Sequence, residues 1–104
     1  MIVVIGEMTA RPETFEELKR LSLEHVHRSR GEPGCLYHSV QVCCEDPLKL
    51  VFVERWADRA SLKAHFLLPV TAEIMRAGRK LAASAPPIAI YDTTALSTDE
   101  ILAS

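Results

Sequence analysis

A chain of 104 residues with a net charge of −2 is long enough for one folded domain and too short for two. Its 48% hydrophobic and 25% charged residues are ordinary for a globular protein. The basic residues do not form the stripe that a nucleic-acid surface needs, and no apolar run approaches the ~20 residues of a membrane span. We therefore predict a cytoplasmic protein that binds neither nucleic acid nor membrane.

The first predicted elements are a strand and a helix. Residues 1–9 are rich in Ile and Val, which favours a strand. The helix is predicted to start at residues 10–12, because Pro12 near a first helical position loses no hydrogen bond. Acidic residues in its opening turns and basic residues in its last turn complement the helix dipole. Gly31 and the Pro33-Gly34 pair are predicted to end it.

A hairpin and a short helix are predicted in the middle of the chain. Residues 35–44 form its first strand, residues 45–49 a turn with Asp and Pro at its centre, and residues 50–57 its second strand. Asp58 is a natural N-cap for the short helix that follows. Pro69 is predicted to break that helix.

The last third of the chain is predicted to contain a helix over residues 70–83 and a strand over residues 88–95 that Pro86-Pro87 opens. The tail carries the S-x-x-E pattern of a capping box at Ser97 and Glu100, which predicts a final helical turn. We assign residues 1–95 to the domain and residues 96–104 to a C-terminal tail.

The order strand, helix, strand, strand, helix, helix, strand predicts a ferredoxin-like α+β domain, with a four-stranded antiparallel sheet and helices on one face. An antiparallel sheet with one wet face alternates apolar and polar residues. The first, third and last strands do not alternate, since both of their faces are apolar. A second copy of the same sheet is the simplest cover, which predicts a two-fold homodimer packed sheet on sheet.

The three cysteines predict neither a disulfide framework nor a zinc site, because their number is odd and no Cys-x-x-Cys spacing occurs. Cys43 and Cys44 are neighbours on a predicted strand and point to opposite faces, which disfavours a bond between them. We interpret both as small buried hydrophobic residues.

A set of short motifs in fixed order resembles the antibiotic biosynthesis monooxygenase (ABM) domain family. The motifs span nearly the whole chain and comprise Glu32-Pro33-Gly34-Cys35-Leu36, Asp46-Pro47, Val53-Glu54-Arg55-Trp56-Ala57-Asp58, and Ala60 to Phe66 followed by Pro69. The resemblance implies a dimeric α+β barrel. It also implies one of several activities, since members include cofactor-free oxygenases of quinols and polycyclic phenols, haem-degrading enzymes and isomerases of small signalling sugars. The haem degraders rely on an Asn, and this chain has none.

The resemblance favours a cofactor-independent monooxygenase that acts on small hydroquinones or phenolic polyketide-like compounds. Such an enzyme needs a base, a dry pocket and hydrogen bonds to the substrate oxyanion. The sequence contains no nucleotide-binding glycine motif and no evident ligand cluster. We predict neither cofactor nor metal, and a small aromatic substrate. The alternatives are an isomerase of a small oxygenated metabolite and a non-catalytic dimeric ligand-binding module.

His65 is the predicted catalytic base, because the ordinary pKa of histidine lies near working pH. The alternative for His65 is a partly exposed side chain that only caps or packs. Trp56 offers a flat wall and an indole donor for an aromatic substrate, although a core anchor at a strand end is equally compatible. Glu54 shares a strand face with Phe52 and Trp56, and we interpret it as a salt-bridge or dimer-contact residue, with a catalytic acid as the alternative.

The remaining substrate-binding candidates are apolar or lie on the second strand. Tyr37 and His38 face opposite sides of that strand, so either of them lines the cavity. His25, near the apolar edge of the first helix, is a second-choice base. Arg55 points away from Trp56 and is interpreted as a surface or interface charge. The predicted apolar lining, for which core packing is the alternative, is Met8, Phe66 and Met75.

Overall fold

The computed structural model describes all 104 residues. No helix is long enough and apolar enough to cross a membrane. The predicted succession of elements is largely confirmed, with one additional short strand. The elements are β1 (Ile2–Ala10), α1 (Phe15–Ser29), β2 (Cys35–Cys43), β3 (Asp46–Trp56), α2 (Arg59–Leu67), α3 (Pro69–Leu81), β4 (Ala82–Ser84), β5 (Ala89–Asp92) and α4 (Thr98–Leu102).

Strand β1 lies in the middle of an antiparallel sheet. It pairs with β3 on one side, from Ile2 opposite Trp56 to Thr9 opposite Lys49, and β2 completes that side. On its other side β1 pairs with β4 near one end and with β5 near the other. The helices pack on one face, which confirms the predicted ferredoxin-like α+β fold.

The predicted last strand is shorter than expected, and an unpredicted strand precedes it. Residues 82–84 form β4, although residues 82–83 were predicted to end the helix, and β5 covers only Ala89–Asp92 of the predicted 88–95 strand. Between β4 and β5 lie Pro86 and Pro87, which have no backbone N–H to donate to β1. The gap between the two strands leaves residues 85–88 free to border the cavity described below.

Two predicted boundaries are wrong for local reasons. Helix α1 begins at Phe15 rather than near Pro12, because the Thr14 hydroxyl accepts from Arg11 N (3.0 Å) and donates to Leu81 O (2.6 Å). The hairpin turn is shorter than residues 45–49, and β3 already begins at Asp46. The predicted turn chemistry lies instead inside an irregularity of the β2–β3 register, where Leu48 N donates to Asp46 Oδ1.

The predicted caps are confirmed. The Asp58 carboxylate accepts from Ser61 N at 2.8 Å, and the Ser97 hydroxyl accepts from Glu100 N at 3.1 Å. Pro69 separates α2 from α3 and occupies the first turn of α3. The interpretation of both neighbouring cysteines as buried is wrong, because Cys44 lies exposed in the turn after β2 while Cys43 is half-buried.

The core lies between the helices and the even-numbered residues of β1 and β3. One cluster joins Ile2, Val4, Trp56 and Leu62, and a second joins Ala10, Leu18 and Leu50. Trp56 is fully buried and is the largest side chain in the interior. The two clusters lie toward opposite ends of β1, and the intervening stretch of this face borders the cavity.

Gly34 shapes the turn that leads into β2. Its φ of 81° lies in the left-handed region, and a Cβ at this position would overlap the Ser61 hydroxyl. We expect Gly34→Ala to lower the free energy of unfolding by about 1–3 kcal/mol, the usual cost of left-handed strain, with the overlap adding to it. Urea denaturation measures this loss.

Gly31 provides the matched control, because its φ is ordinary and a Cβ there meets only Arg28 O at 3.5 Å. Gly31→Ala is expected to change the free energy of unfolding by less than about 1 kcal/mol. Equal losses for the two variants would contradict the assigned role of Gly34.

Candidate active site

A largely apolar cavity of about 490 Å³ lies between the sheet and the helices. This volume is in the range of small-molecule sites, which are typically about 300–1,000 Å³. Three of the predicted lining residues, Met8, Phe66 and Met75, border it, as do His65 and His25. Gly78 on α3 admits Met8 closely, since a Cβ there would stand 3.1 Å from its Sδ.

Three buried imidazoles meet at the polar end of this cavity. His25 comes from α1, His38 from β2 and His65 from α2, and each is less than a tenth exposed. Their ring centres are 5.1 Å apart for His25–His65, 5.3 Å for His25–His38 and 5.8 Å for His38–His65. We call these three residues the histidine cluster. Two of them, His25 and His65, border the cavity.

His65 is held by a carboxylate from a distant part of the chain. Glu32 Oε1 lies 2.8 Å from His65 Nδ1, and both groups are largely shielded from solvent. An ionised carboxylate only accepts hydrogen bonds, so Nδ1 carries the proton and Nε2 keeps a lone pair. Trp56 packs against the same ring, with the two centres 4.7 Å apart. The imidazole is thus oriented and its tautomer is fixed, as for a general base.

His25 has the opposite tautomer. Arg28 Nη2 lies 3.0 Å from His25 Nδ1, and a guanidinium only donates, so Nδ1 accepts and Nε2 carries the proton. Burial, the neighbouring His38 and His65 and the charge of Arg28 lower the pKa of His25 to about 3. His25 is therefore a neutral hydrogen-bond donor at physiological pH.

The low pKa of His25 predicts a pH-dependent stability. Its ordinary pKa is 6.5 and its folded value about 3, so between these limits the unfolded chain binds more protons. The contribution is complete above pH 6.5 and is lost as pH falls, by up to about 1.4 kcal/mol per pH unit. We expect the free energy of unfolding, measured with urea in the presence of a chelator, to fall from pH 7 to pH 5.

His25→Gln is expected to flatten this pH dependence. His27→Gln is the matched control, because His27 is exposed on the same helix. An unchanged slope in His25→Gln, or a slope lost in His27→Gln, would contradict the assignment.

Glu54 is buried beneath the histidine cluster and borders the cavity. Its Oε1 accepts from Trp56 Nε1 at 2.9 Å and lies 3.3 Å from His38 Nε2, outside hydrogen-bonding geometry. Burial raises the pKa of this carboxyl, but His38, Trp56 and His65 together lower it further, so the net pKa is below its ordinary value. The predicted face shared with Phe52 and Trp56 is confirmed, and Glu54 makes its close polar contacts with Trp56 and His38.

The structure separates the other sequence candidates. Tyr37 lies on the opposite face of the sheet, where its ring faces the Arg55 guanidinium at 5.0 Å, so it is not brought to the cavity. His38 is on the cavity side, behind the lining, and belongs to the histidine cluster. Trp56 has no exposed surface and stands behind His65, which places it as a core anchor rather than a substrate wall.

Sequence reasoning missed two groups at the site. Glu32 was interpreted only as part of the turn that ends α1, because nothing in the sequence links it to His65. Ser22 precedes His25 by almost one helical turn, borders the cavity and has a buried hydroxyl without a partner. The expectation of no ligand cluster is also wrong, since three histidines from separate elements converge.

Comparisons with known proteins agree with this architecture. An uncharacterized protein of Synechocystis sp. is 34% identical over 90 residues, which are 86% of this chain and 61% of that protein, so this chain spans less than two thirds of its relative. A solved structure from Deinococcus radiodurans superposes with a TM-score of 0.89 at 22% identity, covering 94% of this chain and 97% of that one. At this identity the likeness shows the fold alone.

A crystal structure described as an antibiotic biosynthesis monooxygenase superposes with a TM-score of 0.82 at 27% identity, covering 91% of this chain and 100% of that chain. The sequence model of the same family matches residues 1–77, which include β1, the hairpin and the helix that carries His65. Fold, motifs and family match thus agree, and the chain belongs to the antibiotic biosynthesis monooxygenase family.

Proposed function

We propose that this protein is a cofactor-independent monooxygenase of small hydroquinones and phenols. The observation that carries the proposal is the pairing of His65 and His25 at the polar end of an apolar cavity, with opposite tautomers. One ring offers a lone pair and the other offers an N–H. A substrate hydroxyl between them meets a base on one side and a donor on the other.

His65 is the proposed base. Its Nε2 takes the proton of the substrate hydroxyl, and the Glu32 carboxylate at Nδ1 stabilises the imidazolium that forms. A phenolate or hydroquinone anion is electron-rich enough to pass one electron to dioxygen. Because His65 is 2% exposed, bulk water does not compete for its ring once the cavity is filled.

His25 and Ser22 are the proposed donors to the anion. The His25 ring is neutral and carries its proton on Nε2, and the unpartnered Ser22 hydroxyl lies on the same helix face. Buried donors aimed at a developing negative charge contribute more than the same donors in water. Both groups reside on α1, so one element positions them together.

The proposed reaction balances without an external reductant. A phenol with a free para C–H loses four electrons to dioxygen, its hydroxyl and para carbon become the two carbonyls of a quinone, and the second oxygen atom leaves as water. A hydroquinone loses the same four electrons, gains its oxygen atom at a free ring C–H, and gives a hydroxyquinone and water. The chain's residues move one proton from the substrate hydroxyl and hold the anion. Transfer of one electron from the substrate anion to dioxygen gives a pair of radicals, and the apolar lining around Met8 and Met75 keeps water away from them.

Oxygen uptake tests the proposal. Protein freed of metal with a chelator and shown to lack flavin is offered a panel of hydroquinones and phenols in an oxygen electrode. The proposal predicts uptake of one dioxygen per quinone or hydroxyquinone formed, with the new oxygen atom in the product and no release of hydrogen peroxide. Turnover that persists under strict anaerobiosis would support an isomerase instead, and thermal stabilisation by a ligand without its turnover would support a binding module.

We also propose that two copies pair through the open face of the sheet. The odd-numbered side of β1 carries apolar residues that no helix covers, and Ile5 is 45% exposed there. The same face continues through Val53 on β3, which the register places beside Ile5, and Tyr91 on β5, which it places beside Val3. A patch of this kind on a small domain favours a partner of the same shape.

Light scattering at micromolar concentration is expected to give twice the chain mass. Ile5→Lys is expected to shift the protein to monomer, because it introduces charge at the centre of the proposed interface. Leu23→Lys is the matched control and is expected to remain dimeric, because Leu23 is an exposed apolar residue on α1, on the other side of the sheet. A monomeric wild-type protein would overturn the pairing.

A further inference from the structure

We infer that the histidine cluster is a binding site for one divalent first-row transition metal ion of the zinc class. Each of the three histidines offers a ligand nitrogen, and these nitrogens all lie within 4.8 Å of one another. All three residues are buried. This inference does not depend on the proposed oxygenase activity, which is proposed for the metal-free protein. A bound ion occupies the lone pair of His65 Nε2 that the proposed base uses, so the two describe different states of the same site.

The spacing of the rings matches a tetrahedral ion. With metal–nitrogen distances of about 2.0–2.1 Å, each ring centre lies about 3.2 Å from the ion, and pairs of centres are about 5.2 Å apart. The observed separations are 5.1, 5.3 and 5.8 Å. Three imidazoles suit zinc, copper, iron and nickel, and they leave at least one coordination position for water or a small ligand.

His38 is the strongest single indication. It is 1% exposed, and neither of its ring nitrogens has a hydrogen-bond partner. Nδ1 has no partner and Nε2 has only the Glu54 carboxylate at 3.3 Å, so these polar atoms have lost water with incomplete compensation. A metal ion at the centre of the cluster provides the missing interaction.

Two carboxylates complete the site. Glu32 accepts from His65 Nδ1, which is the outer contact that most metal-bound histidines make and which leaves Nε2 free to bind. Glu54 lies 3.3 Å from His38 Nε2. Together, the two carboxylates balance the double positive charge of a divalent ion bound among neutral imidazoles.

Arg28 opposes binding. Its guanidinium donates to His25 Nδ1, so that nitrogen is occupied and the proton stands on Nε2. Whichever nitrogen of His25 binds the ion, this contact must break first. Because Arg28 is exposed, its side chain can turn toward solvent when the ion binds. The contact with His25 therefore weakens metal binding without preventing it.

Co²⁺ titration of tag-free, metal-stripped protein tests the inference, with ligand-field absorption and equilibrium dialysis as readouts. One Co²⁺ per chain is expected, displaced by Zn²⁺. His38→Gln and His25→Gln are each expected to weaken binding by more than about 100-fold, a loss beyond that of an outer-shell partner. Arg28→Gln is expected to tighten it, because the competing donor is gone.

His27→Gln is the matched control, since it removes the exposed histidine and keeps the cluster. Circular dichroism of each variant establishes that it is folded, and a folded pair of cluster variants that bind like wild type overturns the inference. Binding of less than one ion per chain, or its loss in His27→Gln, also overturns it. Oxygen uptake is measured in chelator, so failure of the metal site and failure of the oxygenase proposal are separate results.

Discussion

His65→Gln is expected to lower kcat/KM for hydroquinone oxygenation by about 100- to 10,000-fold, the usual contribution of a positioned general base. The imidazole is the only cavity group whose lone pair is fixed by a carboxylate partner, through the 2.8 Å contact with Glu32. Glutamine keeps a polar side chain of similar size but accepts no proton at neutral pH. The loss is expected mainly in kcat, because the apolar lining that binds the ring is intact.

Initial oxygen-uptake rates over a range of pH measure this effect. Glu32→Gln is expected to give a smaller loss and a displaced pH profile, since it positions the base without touching substrate. His27→Gln serves as the control and is expected to keep wild-type rates. An unchanged rate in a folded His65→Gln protein would exclude His65 as the base.

Trp56→Ala is expected to lower the free energy of unfolding by about 3–5 kcal/mol, as for large aromatic side chains deleted from a core. Trp56 has no exposed surface and packs with Ile2, Val4 and Leu62 at one end of the sheet. Its removal also leaves the buried carboxylate of Glu54 without its indole donor. Because the total free energy of unfolding of a small domain is typically about 5–15 kcal/mol, this substitution removes a large part of it.

Trp56→Phe separates packing from substrate contact. It keeps an aromatic ring beside His65 but removes the hydrogen bond to Glu54 and part of the buried ring volume. We expect a loss of about 1–3 kcal/mol in urea denaturation from the unpartnered carboxylate, with the lost volume adding to it. Leu62→Ala, in the same cluster, is the comparison for a pure packing loss of about 2–5 kcal/mol. Full stability of Trp56→Phe together with a raised KM would identify Trp56 as a substrate wall and contradict its placement in the core.

The elements were predictable where local chemistry decides them. The Asp58 and Ser97 caps and the Pro69 break depend on residues near one another in sequence, and all three are confirmed. The start of α1 was not predictable, because it depends on the bond from Thr14 to Leu81 O across the fold. The additional strand β4 was not predictable either, because it is defined by pairing with the far end of β1, a tertiary contact.

The site was predictable in part. Strand alternation placed Glu54 on one face with Phe52 and Trp56 and separated His38 from Tyr37, because these relations are local. The contact of Glu32 with His65 joins residues 33 positions apart, and no spacing rule predicts it. The histidine cluster likewise joins a helix, a strand and a second helix, so its chemistry exists only in the folded chain.

Single-turnover oxygenation under ¹⁸O₂, in metal-free and flavin-free protein, tests the central claim most directly. The product is reduced and trapped on quenching so that its carbonyl oxygens do not exchange with water. The account predicts one ¹⁸O atom in each quinone and the other in water, with both lost in His65→Gln. A product whose newly inserted oxygen atom comes from solvent, or a product that forms equally well without dioxygen, would contradict this prediction.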